Sequence, residues 1–237
     1  MDSTSYVTLT RQSGLMREMQ VVANNIANAV TTGYRQEGLV FSEFVQKSND
    51  GPSVSMGHAN TRNTSFHQGE LTQTGGTFDL AIEGDGYFLI ETPQGERLTR
   101  AGNFSPDGGG NLVTPDGYIV LNSEGAPVFV PPNAADVTIS PDGTMSADGQ
   151  PLGLIGIYRP IELHGLVRED GVMFRSDEGV EIEPGAKMLQ GFLEGSNVDP
   201  ISQLARMIEI QRAYEMGQSF LETEDQRIRN SIKSLIK

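Results

Sequence analysis

Eight times between residues 85 and 179 an acidic residue is followed by glycine: Asp85-Gly86, Asp107-Gly108, Asp116-Gly117, Glu124-Gly125, Asp142-Gly143, Asp148-Gly149, Asp170-Gly171 and Glu178-Gly179. Glycine reaches the left-handed backbone region at no steric cost, and aspartate bonds its own backbone, so such pairs reverse the chain. Between them lie short apolar or alternating runs: FDLAI, GYFLI, ERLTR, YIVL, PVFV, DVTIS, LGLIGIY and KMLQGFL. Short runs punctuated by turns about every 8–12 residues predict an all-β domain, sandwich- or barrel-like, over residues 77–198.

The two ends follow a different period. Met207, Tyr214, Leu221, Ile228 and Leu235 recur every seven residues. A companion row four places on, Leu204, Gln211, Gln218, Asp225 and Ile232, is mostly polar. This heptad seam predicts a helix over 199–237, with Asp199 as N-cap and Pro200 in the first turn. Such a helix is about 50 Å long at 1.5 Å per residue and is marginal in water without a partner. At the other end Leu15, Met19, Val22, Ile26 and Ala29 form a single helical stripe. Thr31-Thr32-Gly33 is expected to stop that helix. The expected plan is a helix over 1–35, an extended polar connection over 36–76, the β domain, and the C-terminal helix. The terminal helices are expected to pair as a coiled-coil-like domain; the alternative is that each packs separately on a globular core.

Charge divides the chain the same way. Of the net charge of -14, residues 1–45 carry three basic and four acidic groups, and residues 201–237 carry six and five. The middle holds eight basic and twenty-two acidic groups. That excess disfavours nucleic-acid binding through a basic patch and suits a solvated outer surface. The absence of cysteine excludes disulfides and thiolate metal sites. No transmembrane helix is expected, and the start MDSTSYVTLTRQSGLM lacks the pattern of a cleaved secretory signal.

Catalytic motifs are missing. His58, His67 and His164 have no metal-binding spacing, and no nucleophile elbow or phosphate loop occurs. The stretch DGGGNLV at Asp107 has Gly109 and Tyr118 where a calcium loop needs ligands, so it reads as a hairpin turn. No catalytic, cofactor-binding or metal residue is assigned and no cofactor is expected. The reading is an assembly protein, not an enzyme.

Four blocks then carry a resemblance. ANNIAN followed by TTGYR (residues 23–35), with Ser13-Gly14-Leu15 before it, resembles the N-terminal motif of the bacterial flagellar rod and hook proteins. FDLAIEGDGYFLI (78–90), RLTRAGNFSPDGGGNLVTPDGYIVL (97–121) and SNVDPISQLARMIEIQRAYE (196–215) resemble three further motifs of that family, in order. Val30 and Thr32 depart from it in the turn. Chain length points to a rod subunit, proximal ahead of distal; a non-flagellar β binding module with a helical stalk is the remaining alternative.

The resemblance implies a helical core lining a tubular assembly and a β domain outside it. It implies export through the flagellar type III apparatus without a cleaved signal, and a place in the periplasmic, torque-transmitting rod beside other rod subunits. Neither nucleic acid nor membrane insertion is implied. The expected assembly interface comprises Leu15, Met19, Val22, Asn24, Asn25, Ile26, Asn28, Leu204, Met207, Gln211, Tyr214, Leu221, Ile228 and Leu235. Thr31, Gly33 and Tyr34 are expected to turn the chain. Asn24 and Asn28, four apart on one face, are expected to set helix register through their amides, with Asn25 beside them.

Overall fold

The computed structural model describes residues 3–46, 54–134 and 136–235. The central region is mostly short strands, flanked by helix α1 (Ser3–Ala27) and helix α2 (Pro200–Leu235). The chain divides into two compact units. One comprises Met1–Ala29, Gln36–Ser65 and Val198–Lys237; the other comprises Val30–Arg35 and Phe66–Asn197.

In the helical unit, α2 begins as its sequence suggests. The Asp199 carboxylate accepts the Ile201 N–H at 3.1 Å and the Ser202 hydroxyl. The first bond satisfies an orphan N–H of the first turn, and both hold the Asp199 carboxyl below its ordinary pKa, the Ser202 bond most strongly. A depressed carboxyl stabilises the fold above its unfolded pKa. The contribution is lost as pH falls through the folded value.

The two helices run antiparallel side by side. Gln12 donates to the Tyr214 carbonyl at 3.0 Å, Glu18 pairs with Arg206 at 2.5 Å, and Asn25 meets Gln203 at 3.1 Å. The face of α2 turned inward carries Gln203 and Ile210, both buried, with Met207, Tyr214, Gly217 and Leu221 half-buried. The first heptad row is half-buried at Met207, Tyr214 and Leu221. Its companion row is not the expected one: it runs three residues after Met207, not four. Leu204 is 55% exposed and Gln211 is exposed. Ile210, not Gln211, is the apolar residue in that row, and burying it puts α2 one position out of the expected phase.

Residues 36–76 differ from the extended connection expected of them. Strands β1 (Glu37–Gln46) and β2 (Val54–Thr64) pair antiparallel, from Glu37↔Thr64 to Gln46↔Val54, with a bulge at Val40/Phe41. The polar second strand hid the hairpin from a reading based on apolar alternation. Its backbone groups nonetheless find partners across the ladder.

In the β unit every strand pair is antiparallel. A seven-stranded sheet has the order 166–169, 173–176, 95–99, 88–92, 119–120, 112–113, 105–106. A three-stranded sheet of 137–139, 144–147 and 150–154 and three two-stranded pairs complete it. The run GYFLI is continuous, not alternating, because both faces of its strand are buried. Phe88 and Ile90 join Leu80, Ile82, Leu112, Val120 and Met188 in one core, while Tyr87 and Leu89 join Leu98, Leu121, Tyr158 and Phe174 in a second. The acidic-Gly pairs make the turns. Asp148 (φ 50°) and Gly149 (φ 77°) are the two-residue loop between the paired Ala147 and Gln150, the left-handed pair that suits strand twist.

Helix α1 ends at Ala27, where Asn28 folds back: its N–H and its side-chain amide both reach the Asn24 carbonyl, at 3.1 and 2.9 Å. Thr31, Thr32 and Gly33, expected as the helix stop, lie past that end. Gly33 has φ +70°, and a Cβ there would sit 2.3 Å from the Ala101 nitrogen and 2.5 Å from the Arg100 carbonyl carbon. Only glycine lets these backbones touch. Gly33→Ala is expected to destabilise the β unit by about 2–4 kcal/mol in chemical denaturation, combining left-handed strain with overpacking. Gly117→Ala, with φ +85° and open space around it, is the control. Equal losses at the two positions would show that the close approach carries no cost.

Candidate assembly surface and buried ion clasp

The asparagine cluster resolves into three different roles. Asn25 is 1% exposed. Its Oδ1 accepts the Glu37 N–H at 3.0 Å, while its Nδ2 donates to the Glu37 carbonyl at 2.7 Å and to Gln203 Oε1 at 3.1 Å. The amide thus pairs with the Glu37 backbone as a neighbouring strand would, and reaches α2 as well. One side chain joins α1, the start of β1 and α2. Asn24, expected to share this work with Asn28, is exposed, and Asn28 serves the helix end. The face expected of Asn24 and Asn28 is therefore displaced by one residue, as it is on α2.

The other expected interface residues divide between the helix pair and solvent. Val22 is buried, and Leu15, Met19, Ile26, Met207, Tyr214 and Leu221 are half-buried. Leu204 and Gln211 face solvent, and Ile228 is 43% exposed. The Leu235 side chain lies outside the described residues. A further apolar set is open on α2: Ile201 at 80%, Ile208 at 42%, Met216 at 68%, Phe220 at 41% and Ile232 at 51% exposure. A groove lined by Val7, Leu15, Ala213, Met216 and Phe220 runs between the helices, and Gly217 there leaves room for the Gln12 amide 2.6 Å from where a Cβ would stand. So much exposed apolar surface on one helix is what an unsatisfied interface looks like.

The β unit holds a charged cluster that motif reading did not reveal. Arg35, Arg100 and Glu194 are 1–3% exposed. Glu194 Oε1 lies 2.7 Å from Arg35, and its Oε2 lies 3.4 Å from Arg100. Oε1 also accepts the Gly69 N–H at 3.1 Å. The surplus positive charge is met by carbonyls: His67 for Arg35, Ile82 and Gly84 for Arg100. Burial pushes the Arg100 pKa down, and the Glu194 carboxylate opposes the shift. Arg168 closes the cluster from one side. Its guanidinium lies 4.7 Å from the Tyr34 ring and 4.8 Å from the Phe174 ring, and it donates to the Arg35 carbonyl. Tyr34, expected only as a turn residue, is thus 2% exposed and part of the packing.

Residues 6–35 match the flagella basal body rod protein family, 81–147 the flagellar hook protein FlgE/F/G D1 domain, and 189–234 the flagellar basal body rod FlgEFG protein C-terminal family. The flagellar basal-body rod protein FlgF of Caulobacter vibrioides is 39% identical, covering 100% of this chain and 99% of that protein. The chain belongs to the flagellar basal-body rod family. FlgF of Mesorhizobium japonicum is 34% identical over 99% of the chain and 98% of its own length, and the rod protein FlgG of Bacillus subtilis is 33% identical over 93% and 94%. Two of the three family segments bring in the clasp residues Arg35 and Glu194, one from each end of the chain. The chain is accordingly a structural subunit of the rod, located in the flagellar basal body, and assembles with other rod subunits. Its relatives are rod proteins rather than enzymes.

Proposed function

We propose that this rod subunit occupies the proximal rod and polymerises through its terminal helices into the torque-transmitting shaft. The observation that carries the reading is the exposed apolar set on α2, led by Ile201, Met216 and Leu204. In a helical tube each subunit meets several neighbours through heterologous contacts that do not close, so both helices must offer surface beyond their own pairing. The α1–α2 pair is the coiled-coil-like element of that tube. Asn25 fixes its register. The full-length similarity to FlgF proteins favours the proximal over the distal rod. Subunits reach the periplasm through the flagellar type III apparatus. No cofactor, nucleic acid, membrane insertion or catalysis enters the account.

Leu204→Ser with Met216→Ser tests the surface. Both side chains are exposed in the single chain, so its stability is expected to change by no more than about 0.5 kcal/mol per site. Motility of a strain carrying only this variant is expected to be lost. A strain that swims normally would remove these residues from the interface.

A further inference from the structure

Four chain connections pass between the two units, after residues 29, 35, 65 and 197. Within the β unit, the segments that end at these connections are fastened to one another. The Gly33 N–H donates to the Glu194 carbonyl at 2.8 Å, and the Asn197 N–H donates to the Tyr34 carbonyl at 3.3 Å. The Asn197 amide donates to the His67 carbonyl at 2.8 Å, and the Gly195 N–H to the Glu70 carbonyl at 2.8 Å. Segments 30–35, 66–70 and 194–197 therefore form one knot, and the Arg35–Glu194–Arg100 cluster is its buried centre.

We propose that this clasp is the positioning element through which force on the chain connections enters the β unit. The proposal rests on the rod-subunit reading above. A buried ionic centre is a poor way to gain stability, because desolvating three charges offsets much of their attraction. It is a good way to demand one geometry. One carboxylate oxygen is held by the Arg35 guanidinium and the Gly69 N–H, and the other lies 3.4 Å from Arg100 without a hydrogen bond, a set of contacts that only one arrangement brings together, whereas an apolar plug accepts several. Arg100 continues from the strand 95–99, an interior strand of the seven-stranded sheet next to the central strand 88–92, so pull on either the 30–35 or the 194–197 segment reaches the sheet through it. Arg35 comes from the N-terminal part of the chain and Glu194 from the C-terminal part. The knot can tighten only when both are in place.

The test separates stability from positioning. Full-length chains carrying Arg35→Met, Arg100→Met and Glu194→Leu together keep the volume of the cluster and remove its charge. Their thermal midpoint is expected to fall less than that of Glu194→Ala, because no charge is left buried alone although the Gly69 N–H loses its acceptor. Amide exchange at Gly33 and Asn197 is expected to quicken at least tenfold more than that of the strand amides of 88–92. Cells carrying this variant are expected to build rods and swim in dilute medium, and to fall to less than half the unsubstituted speed in viscous medium, where torque is high. Unchanged exchange at Gly33 and Asn197, or unchanged swimming at every viscosity, overturns the proposal. Should the triple variant not incorporate, Glu194→Gln in the purified chain decides the matter: full protection of Gly33 and Asn197 there overturns it, and lost protection supports it. A strain lacking the whole gene that still swims would instead overturn the rod reading itself.

Discussion

Replacing Glu194 by alanine is expected to be among the most damaging single changes in the β unit. It would leave Arg35 and Arg100 buried beside each other with no carboxylate between them. Breaking a buried ion pair by removing one partner typically costs about 3–5 kcal/mol. For a unit of this size that corresponds to a midpoint lowered by roughly 10–20 °C. The change also removes the acceptor of the Gly69 N–H, which adds to the loss. Surface ion pairs offer the contrast. Arg159 and Glu181 are both half exposed at 2.8 Å, and Glu181→Ala is expected to change stability by less than about 1 kcal/mol. Thermal unfolding followed by near-ultraviolet dichroism reports both. Similar midpoints for the two variants would mean that the buried cluster is not ionically coupled.

The second large effect belongs to Asn25. Asn25→Leu would strand the Glu37 N–H and carbonyl and the Gln203 amide in a buried site. Each unsatisfied buried group costs about 1–3 kcal/mol, so a loss of roughly 2–4 kcal/mol in the helical unit is expected. Asn24→Leu, one residue away and exposed, is expected to be neutral within about 0.5 kcal/mol. Helix dichroism through a denaturant titration separates them. Equal destabilisation by the two substitutions would contradict the assignment of Asn25 as the joint between α1, β1 and α2.

These two residues also mark how far the sequence could be read. Turns were legible because their chemistry is local: Asp148-Gly149 needs no distant partner to adopt its left-handed pair. The helices were legible from period, and period does not determine phase. Met207, Tyr214 and Leu221 lie on the inward face, yet Ile210 and Asn25 lie there in place of Gln211 and Asn24, because a seven-residue repeat admits a companion row at either three or four. Ile210 was the available signal, an apolar residue three after Met207 where Gln211 is polar. The hairpin over 37–64 was hidden because VSMGHANTRNT is mostly polar and its pairing is carried by backbone. The clasp was hidden for a different reason. Arg35 and Glu194 are 159 positions apart, and charge in a sequence reads as solvent exposure until topology brings opposite charges together. Even so, the family motifs TTGYR and TRAG contain Arg35 and Arg100, so the resemblance pointed to residues whose chemistry only the fold explains.

The chain has no cysteine, which permits a direct measurement on the proposed assembly surface. Met216→Cys places a single thiol at a position 68% exposed in the isolated subunit. In purified monomer this thiol should react with a maleimide as fast as a free thiol. In basal bodies isolated from swimming cells it should be protected by neighbouring helices, with labelling slowed at least tenfold. Equal labelling in monomer and basal body would contradict the claim that α2 joins the subunits of the rod.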